Sequence, residues 1–252
     1  PYDPAVIGVP KWVIGARTGA ANDNHWIDDL CIRTGPPQTR QIAGVFNTGV
    51  DANRRPLSDN TPDTHYRLVT GSATVGTPLA ATEDGGYPIP PWLGDNRVSA
   101  WITPTPETLA PGTVGYRYEA DFDLTGLDPA TASLSGHLAA DNRVVGILMN
   151  GRCTGESQPA SASPAQLYTT WTPFTVTPGF MPGDNTVTFV VMNEATAPNP
   201  MGLRVEMEGL AQPECLNFEQ LPPRTLPNTW SYYGVVFQAR DPGDIVLPTL
   251  SI

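Results

Sequence analysis

Apolar and polar residues alternate strictly along residues 116–124. Successive side chains of an extended chain point to opposite faces, so this stretch predicts a strand with one buried face and one wet face. Its apolar members are Tyr116, Tyr118, Ala120, Phe122 and Leu124, and Arg117, Glu119, Asp121 and Asp123 lie between them. The alternation returns in 187–191 and in 203–208, where Leu203, Val205 and Met207 interleave with Arg204, Glu206 and Glu208.

No stretch keeps a helical period of 3.6 residues beyond a turn or two. The chain of 252 residues contains 24 glycines and 28 prolines, which fall between the strand-like runs as turns do. We therefore predict an all-β fold, an antiparallel β-sandwich. In the main block, strands are predicted near 44–48, 65–69, 99–102, 116–124, 133–138, 144–150, 172–177, 186–192 and 202–208.

The chain divides by sequence into a main block, 41–211, and two end segments, 1–40 and 212–252. The end segments carry strand-like runs but are too short to bury a core alone. Their strands are expected to pack on the main block, on each other or on a neighbouring subunit. The assembly strands are marked by Trp12, Ile14, Trp26 and Leu30 at one end and by Tyr233, Val235 and Phe237 at the other.

The net charge of −11 argues against nucleic acid or an anionic membrane as a partner, since both would be repelled. No stretch is apolar enough to span a bilayer. The three cysteines form no C-x-x-C pair; a Cys31–Cys215 disulfide would link the two end segments. The composition favours an extracellular or cell-surface setting, and a start at Pro1 indicates a processed subunit or a piece of a longer protein.

Eight short pieces follow one another in the main block: 46–49 (FNTG), 63–68 (DTHYRL), 89–93 (IPPWL), 100–102 (AWI), 122–129 (FDLTGLDP), 140–142 (ADN), 148–151 (LMNG) and 202–205 (GLRV). As an ordered set they resemble a galactose-binding-like jelly-roll module of bacterial secreted and surface proteins. Most members of that family have no catalytic machinery, and the resemblance implies sugar binding or structural Ca²⁺. Residues 15–34 are similar to the last strands of a concanavalin-type or laminin-G-like lectin sandwich, and 215–219 to the first strand of a further sandwich.

Six residues are candidates for a glycan site, because carboxylates, amides and imidazoles hydrogen-bond sugar hydroxyls and aromatic rings stack on the sugar face. The candidates are Asp63, His65, Tyr66, Trp92, Asn142 and Arg143. Plainer alternatives exist. Asp63 caps a turn while His65 is merely solvated, Trp92 packs at the edge of the core as we expect for Trp101, and Asp141-Asn142 is a turn pair.

Asp51, Asn53 and Asp59 gather oxygen ligands in one long loop, as Ca²⁺ requires. Ca²⁺ is the one cofactor that the sequence suggests. The spacing is not that of an EF-hand, and a polar loop rich in turn-forming residues explains it equally well. A glycosidase needs only two suitably spaced carboxylates, but no enzyme motif is present, so we predict that the chain is not an enzyme.

Two functions compete on these observations. The first is a non-catalytic structural or adhesive protein of a bacterial surface or extracellular polymer, whose terminal strands pair with neighbouring copies. The alternative is a lectin-like, carbohydrate-binding module of a larger secreted protein. We favour the first because about 80 residues of strand-rich ends need partners to offset an ordering entropy of about 1–2 kcal/mol per residue. A sugar site on the main block explains none of them.

Overall fold

The structure is a computed structural model, and the chain divides in it into two compact units, Pro37–Glu214 and Pro1–Pro36 with Cys215–Ile252. It describes residues 38–70, 73–106, 108–110, 115–194, 197–214, 229–232 and 235–238. For residues 70, 73–75, 229–232 and 235–238 it describes the backbone only.

The Pro37–Glu214 unit is an antiparallel β-sandwich, which confirms the predicted all-β class. Sheet 1 has the strand order β11-β8-β14-β5-β4, and β1 also pairs with β14. Its strands are β1 (Arg40–Gln41), β4 (Leu79–Ala81), β5 (Trp101–Thr103), β8 (Ser133–Asp141), β11 (Thr172–Val176) and β14 (Gly202–Ala211).

Sheet 2 has the strand order β10-β9-β12-β7-β2-β3. Its strands are β2 (Arg67–Thr70), β3 (Ala73–Gly76), β7 (Gly115–Asp123), β9 (Arg143–Met149), β10 (Arg152–Cys153) and β12 (Asp184–Met192). A short pair, β6 (Leu109–Ala110) with β13 (Asn199–Pro200), lies outside both sheets. At the centre of sheet 2, β7 and β12 pair from Asp123↔Asp184 to Gly115↔Met192.

The inner faces of the two sheets form one apolar core, and alternation predicts it correctly. Along β7 the residues Tyr116, Tyr118, Ala120 and Phe122 are buried, while the charged residues between them face away from the core. The facing strands β8 and β14 contribute Leu134, Leu138, Leu203 and Val205 to the same cluster. We call this cluster the inner core. It contains residues from both sheets, so each sheet is held by the other.

A second apolar cluster lies on the other side of sheet 1. Along β14 and β5, Leu203 and Ile102 belong to the inner core, so Arg204 and Trp101 point to the opposite face. The segment 82–98 and the helix α1 (Pro164–Thr169) cover that face. We call this cluster the outer layer. Its buried members are Ala81, Ile89, Trp92, Trp101 and Ala139, and Leu93, Tyr168 and Trp171 pack against them.

The strand predicted at 44–48 is wrong: the segment lies beside β14 without pairing as a strand. Gly44 has a φ of +84° and Gly49 a φ of +65°, values that interrupt an extended chain. One backbone bond to β14 remains, from the N–H of Thr48 to Val205 O at 3.0 Å, and side chains of the segment accept further N–H groups of β14. The N–H of Met207 donates to Asn47 Oδ1 at 2.8 Å, and that of Val205 to Thr48 Oγ1 at 2.9 Å.

The second unit is described only at a β-hairpin. Its strands are β15 (Thr229–Tyr232) and β16 (Val235–Gln238), paired from Thr229↔Gln238 to Tyr232↔Val235. The alternation of Tyr233, Val235 and Phe237 predicts a strand near 232–239, and the described residues 235–238 of that run form β16. No other described strand pairs with β15 or β16.

Candidate functional site

Asp63 organises the turn before β2, as the plainer alternative expects. Its side chain is fully buried; Oδ2 accepts the N–H of Gly49 at 2.7 Å, and Oδ1 accepts that of His65 at 3.0 Å. Burial raises the pKa of Asp63, and the two N–H donors and the His65 ring oppose that shift. The half-buried His65 ring stacks on Phe46 with the ring centroids 3.7 Å apart.

Tyr66 is also part of the framework. Its ring is buried in the inner core, and its hydroxyl donates to the carbonyl of Phe46 at 2.9 Å. Burial raises the pKa of Tyr66, so the phenol stays protonated and remains a donor. Asp63, His65 and Tyr66 therefore form one cluster that fixes residues 46–49 against the sandwich.

Trp92 is buried in the outer layer, and its indole N–H donates to Asp141 Oδ2 at 2.9 Å. Its ring lies 4.4 Å from that of Trp101, measured between centroids. A Cβ on Gly202 would come within 2.7 Å of the Trp92 ring, so β14 needs a glycine there. Trp101 is fully buried, which confirms the prediction that it belongs to a core.

Asn142 and Arg143 follow Asp141 directly, at the change from sheet 1 to sheet 2. Asn142 Oδ1 accepts the N–H of Glu194 at 2.8 Å, and Arg143 Nε lies 3.7 Å from Glu194 Oε1. Among the described residues no contact joins these two side chains to the Asp63 cluster. Three of the six glycan candidates, Asp63, Tyr66 and Trp92, are buried and hydrogen-bonded to protein groups. Glycan binding stays a prediction.

The three calcium candidates are engaged in different local contacts. Asp51 Oδ1 accepts the N–H groups of Asn53 at 2.8 Å and Arg55 at 2.9 Å, an Asx turn. The bond from Arg55 is the largest of the effects that hold the pKa of Asp51 below its usual value. Asp59 instead accepts the N–H of Thr82 at 3.0 Å. The described residues contain no group of three or more His, Cys, Asp or Glu side chains placed to hold a metal.

The outer layer contains a polar network that sequence reasoning missed. Arg204, expected on a wet face, is fully buried: segment 82–98 lies over it, and that segment and Ser99 directly after it accept its hydrogen bonds. Its guanidinium donates to Gly94 O at 2.6 Å, to Ser99 O at 3.1 Å and to Ser99 Oγ at 2.8 Å. Burial lowers the pKa of Arg204, and nearby carboxylates, Glu206 first, act in the opposite direction.

Glu206 extends this network to the surface. Its Oε1 accepts from Ser99 Oγ at 2.7 Å and from the amide of Asn96 at 2.5 Å, and Oε2 lies 2.9 Å from His137 Nε2. Burial would raise the pKa of Glu206, but these three bonds outweigh it and leave the pKa below its usual value. The His137 ring meets Trp171 edge-on at 4.3 Å. The network holds segment 82–98 in place with hydrogen bonds.

Asp141 is a buried carboxyl beside the outer layer, and its pKa is shifted far from the usual value. Burial raises its pKa to about 6, and the bond from Trp92 only partly opposes this. A small open cavity of about 120 Å³ lies where segment 82–89 meets the loop that carries Asp59. Asp59, Thr82, Gly85, Tyr87 and Pro88 line it.

The predicted assembly residues fall mostly outside the described part of the chain. Trp12, Ile14, Trp26, Leu30 and Tyr233 lie there, as do Cys31 and Cys215 of the predicted disulfide. Val235 and Phe237 are in β16. Cys153, in β10, is an exposed free thiol.

Comparisons with protein-family models, with curated proteins and with solved structures return no match to this chain. The resemblance to a galactose-binding-like module therefore stays a prediction. Among the described residues, no helix is long and apolar enough to cross a membrane.

Proposed function

We propose that the chain is a non-catalytic, extracellular structural or adhesive protein that assembles with copies of itself by β-strand pairing through its terminal segments. The observation that supports this most is the β15–β16 hairpin, which pairs with no other described strand. The Pro37–Glu214 unit, in contrast, already places its long strands in two six-stranded sheets with a shared apolar core.

A hairpin of four residue pairs is at best marginally stable in water without a third strand or a packing surface. Each of its two edges presents N–H and C=O groups that no described strand satisfies. An added strand forms hydrogen bonds with those groups, which is the chemistry of β-augmentation. A strand from another copy of the chain is such a partner.

The contact would join the terminal segment of one copy to a different surface of the next. Such head-to-tail contacts give rings when the rotation between copies closes and filaments when it does not. The acidic chain, with a net charge of −11, is expected to assemble more readily as salt screens the repulsion between copies.

Proline substitutions on the outer edges of the hairpin test this proposal. In a hairpin closed by two residues the adjacent pair, Tyr232 and Val235, is the hydrogen-bonded one, so the N–H groups of Ser231 and Val236 point outward. Ser231→Pro and Val236→Pro therefore remove one outward donor each. Light scattering after size-exclusion chromatography and negative-stain imaging would measure assembly.

We expect oligomers or filaments from the unmodified chain and a shift to monomer in at least one proline variant. Ala160→Pro, in an exposed loop of the sandwich unit, is the matched control and should assemble normally. The proposal fails if the unmodified chain remains monomeric at every concentration and salt level. It also fails if both edge variants assemble as well as the control.

A further inference from the structure

The cavity beside Asp59 has one acidic side chain, Asp59 itself, in its described wall. Of the three calcium candidates only Asp59 lines it; the other side chains around it include Thr82, Pro88 and Ile89. Tyr87 stands at its edge with 69% of its surface exposed. The cavity of about 120 Å³ is smaller than the roughly 300–1,000 Å³ of a typical ligand pocket, so it suits one small chemical group.

The Asp59 carboxylate is fixed in position and has unused acceptor capacity. Oδ1 accepts the N–H of Thr82 at 3.0 Å, and Oδ2 accepts the amide of Asn60 at 2.7 Å. A Cβ on Gly85 would lie 2.6 Å from Oδ1, so the absence of a side chain at 85 leaves room for the carboxylate. A carboxylate has about four lone-pair sites, and no described basic side chain forms a salt bridge with this one.

The surroundings of the cavity favour a cation. Glu83 and Asp84 directly follow Thr82, and Glu83 is tied to Asp95 by two reciprocal bonds. The N–H of Glu83 donates to Asp95 Oδ2 at 2.9 Å, and that of Asp95 to Glu83 Oε1 at 3.1 Å. With a net charge of −11 on the chain, anionic ligands are repelled and cationic ones are attracted.

We propose that this cavity binds a primary ammonium group of the kind that ends a lysine side chain. The ammonium would donate a charge-assisted hydrogen bond to Asp59, while its alkyl stem lies against Pro88 and the ring of Tyr87. Ca²⁺ fits less well, because it takes six to eight oxygen ligands and Asp59 is the only acidic side chain in the described wall. The chain has a single lysine, Lys11, so the ammonium comes either from a Lys11 side chain or from a foreign amine.

The test is a titration of the full chain with n-butylammonium, followed by amide chemical shifts, with n-butanol and Ca²⁺ as comparison ligands. We expect n-butylammonium to shift the signals of residues 59 and 82–88 saturably and n-butanol to leave them unchanged. Asp59→Asn should weaken the binding by about ten- to a hundredfold, since one charge-assisted bond is lost. Asp184→Asn, a charge-matched change at an exposed residue outside the cavity, should leave the affinity unchanged.

Equal binding of n-butanol, an unchanged affinity in Asp59→Asn, or saturation by Ca²⁺ in place of n-butylammonium would each overturn the proposal. Asn at position 59 keeps an oxygen for the Thr82 N–H, and a melting curve checks that the variant is folded. Gly85→Ala gives a second test without a change of charge, because the new methyl group displaces the carboxylate and should also weaken binding.

Self-association separates the two sources of the ammonium. If Lys11 of a second copy occupies the cavity, Lys11→Gln and Asp59→Asn should lower self-association to the same extent. If the ammonium belongs to a foreign amine, Lys11→Gln should assemble normally. Asp59→Asn should still bind n-butylammonium more weakly than the unmodified chain. The small-molecule titration does not depend on assembly, so its result stands even if the proposed strand pairing is wrong.

Discussion

The two faces of sheet 1 are both covered, but by different kinds of interaction. The inner face meets sheet 2 through aliphatic and aromatic side chains such as Leu203 and Val205. The outer face is covered by segment 82–98 and α1, which need Arg204, Glu206 and Asp141 as well as the two tryptophans. In a sheet the backbone N–H and C=O groups pair with those of neighbouring strands. An irregular segment has no such pairing, so buried side chains must form hydrogen bonds with its carbonyls. The same strand, β14, therefore buries a leucine on one side and an arginine on the other.

Leu203→Ala should produce the largest change, because it removes volume from the fully buried inner core. We expect a loss of about 2–5 kcal/mol in the free energy of unfolding, measured by urea denaturation. Leu210→Ala, at a half-buried position on the outer side of the same strand, is the matched control and should cost clearly less. Equal losses would contradict the distinction between the two faces.

Arg204→Met should lower the free energy of unfolding by about 3 kcal/mol. The carbonyls of Gly94 and Ser99 lose their hydrogen-bond donor, while the side-chain volume is largely kept. Hydrogen exchange should rise in segment 82–98 and stay unchanged in β7 and β12. Arg117→Met, at an exposed position of β7, controls for the loss of a positive charge and should stay within about 0.5 kcal/mol. A uniform rise in exchange across the sandwich would show that Arg204 does not act on the outer layer alone.

Asp141→Asn should stabilise the protein at neutral pH. The pKa of Asp141 is raised from 3.8 to about 6, so the folded state prefers the proton-bound form. The stabilisation from that proton is fully present below pH 3.8 and is lost as the pH rises through about 6. The asparagine of the variant carries no charge at any pH. The free energy of unfolding of the variant should therefore be about 1–3 kcal/mol higher than that of the unmodified protein at pH 7.5 and about equal to it near pH 4.

Thermal melts of both proteins across this pH range measure the difference. Asp184→Asn, at an exposed residue, should show no such pH-dependent gain. A constant difference at every pH would mean that the gain does not come from the Asp141 proton.

Tyr118→Phe is expected to have the smallest effect, a gain of about 1 kcal/mol in the free energy of unfolding. The Tyr118 hydroxyl is buried in the inner core with no hydrogen-bond partner among the described residues. Tyr66→Phe is its matched opposite: it removes a hydroxyl bonded to Phe46 O and should lose about 1 kcal/mol. Urea denaturation of both variants gives the comparison, and a loss in both would show that Tyr118 has a partner.

Alternation predicts the inner core because each inward position of a strand such as β7 is apolar and each outward position is polar. The same rule fails for Arg204, since it cannot tell a polar residue in water from one buried under an irregular segment. Trp92 is the sequence signal for this cover. It lies in a long segment without a strand pattern, and its large apolar ring must pack against an apolar surface. The strand predicted at 44–48 fails for a local reason, the left-handed glycines Gly44 and Gly49.

The candidate site was less predictable than the fold. Asp63, Tyr66 and Trp92 have the right chemistry for a ligand, but their hydrogen-bond partners Gly49, Phe46 and Asp141 come from distant parts of the chain. Sequence spacing carries no information about such partners. The sequence marks Asp59 only by its oxygen atoms, and the structure shows that it lines a cavity.

The central claim is that the sandwich unit is complete in one copy while the terminal hairpin gains its partners from another. Hydrogen exchange on the full chain, at a dilute monomeric concentration and in the assembled state, tests it most directly. Assembly should slow exchange in residues 229–238 by about tenfold or more and leave β7 and β12 unchanged, because a two-stranded hairpin without a further partner is only marginally stable. Strong protection of 229–238 already in the monomer, unchanged on raising the concentration, would contradict it.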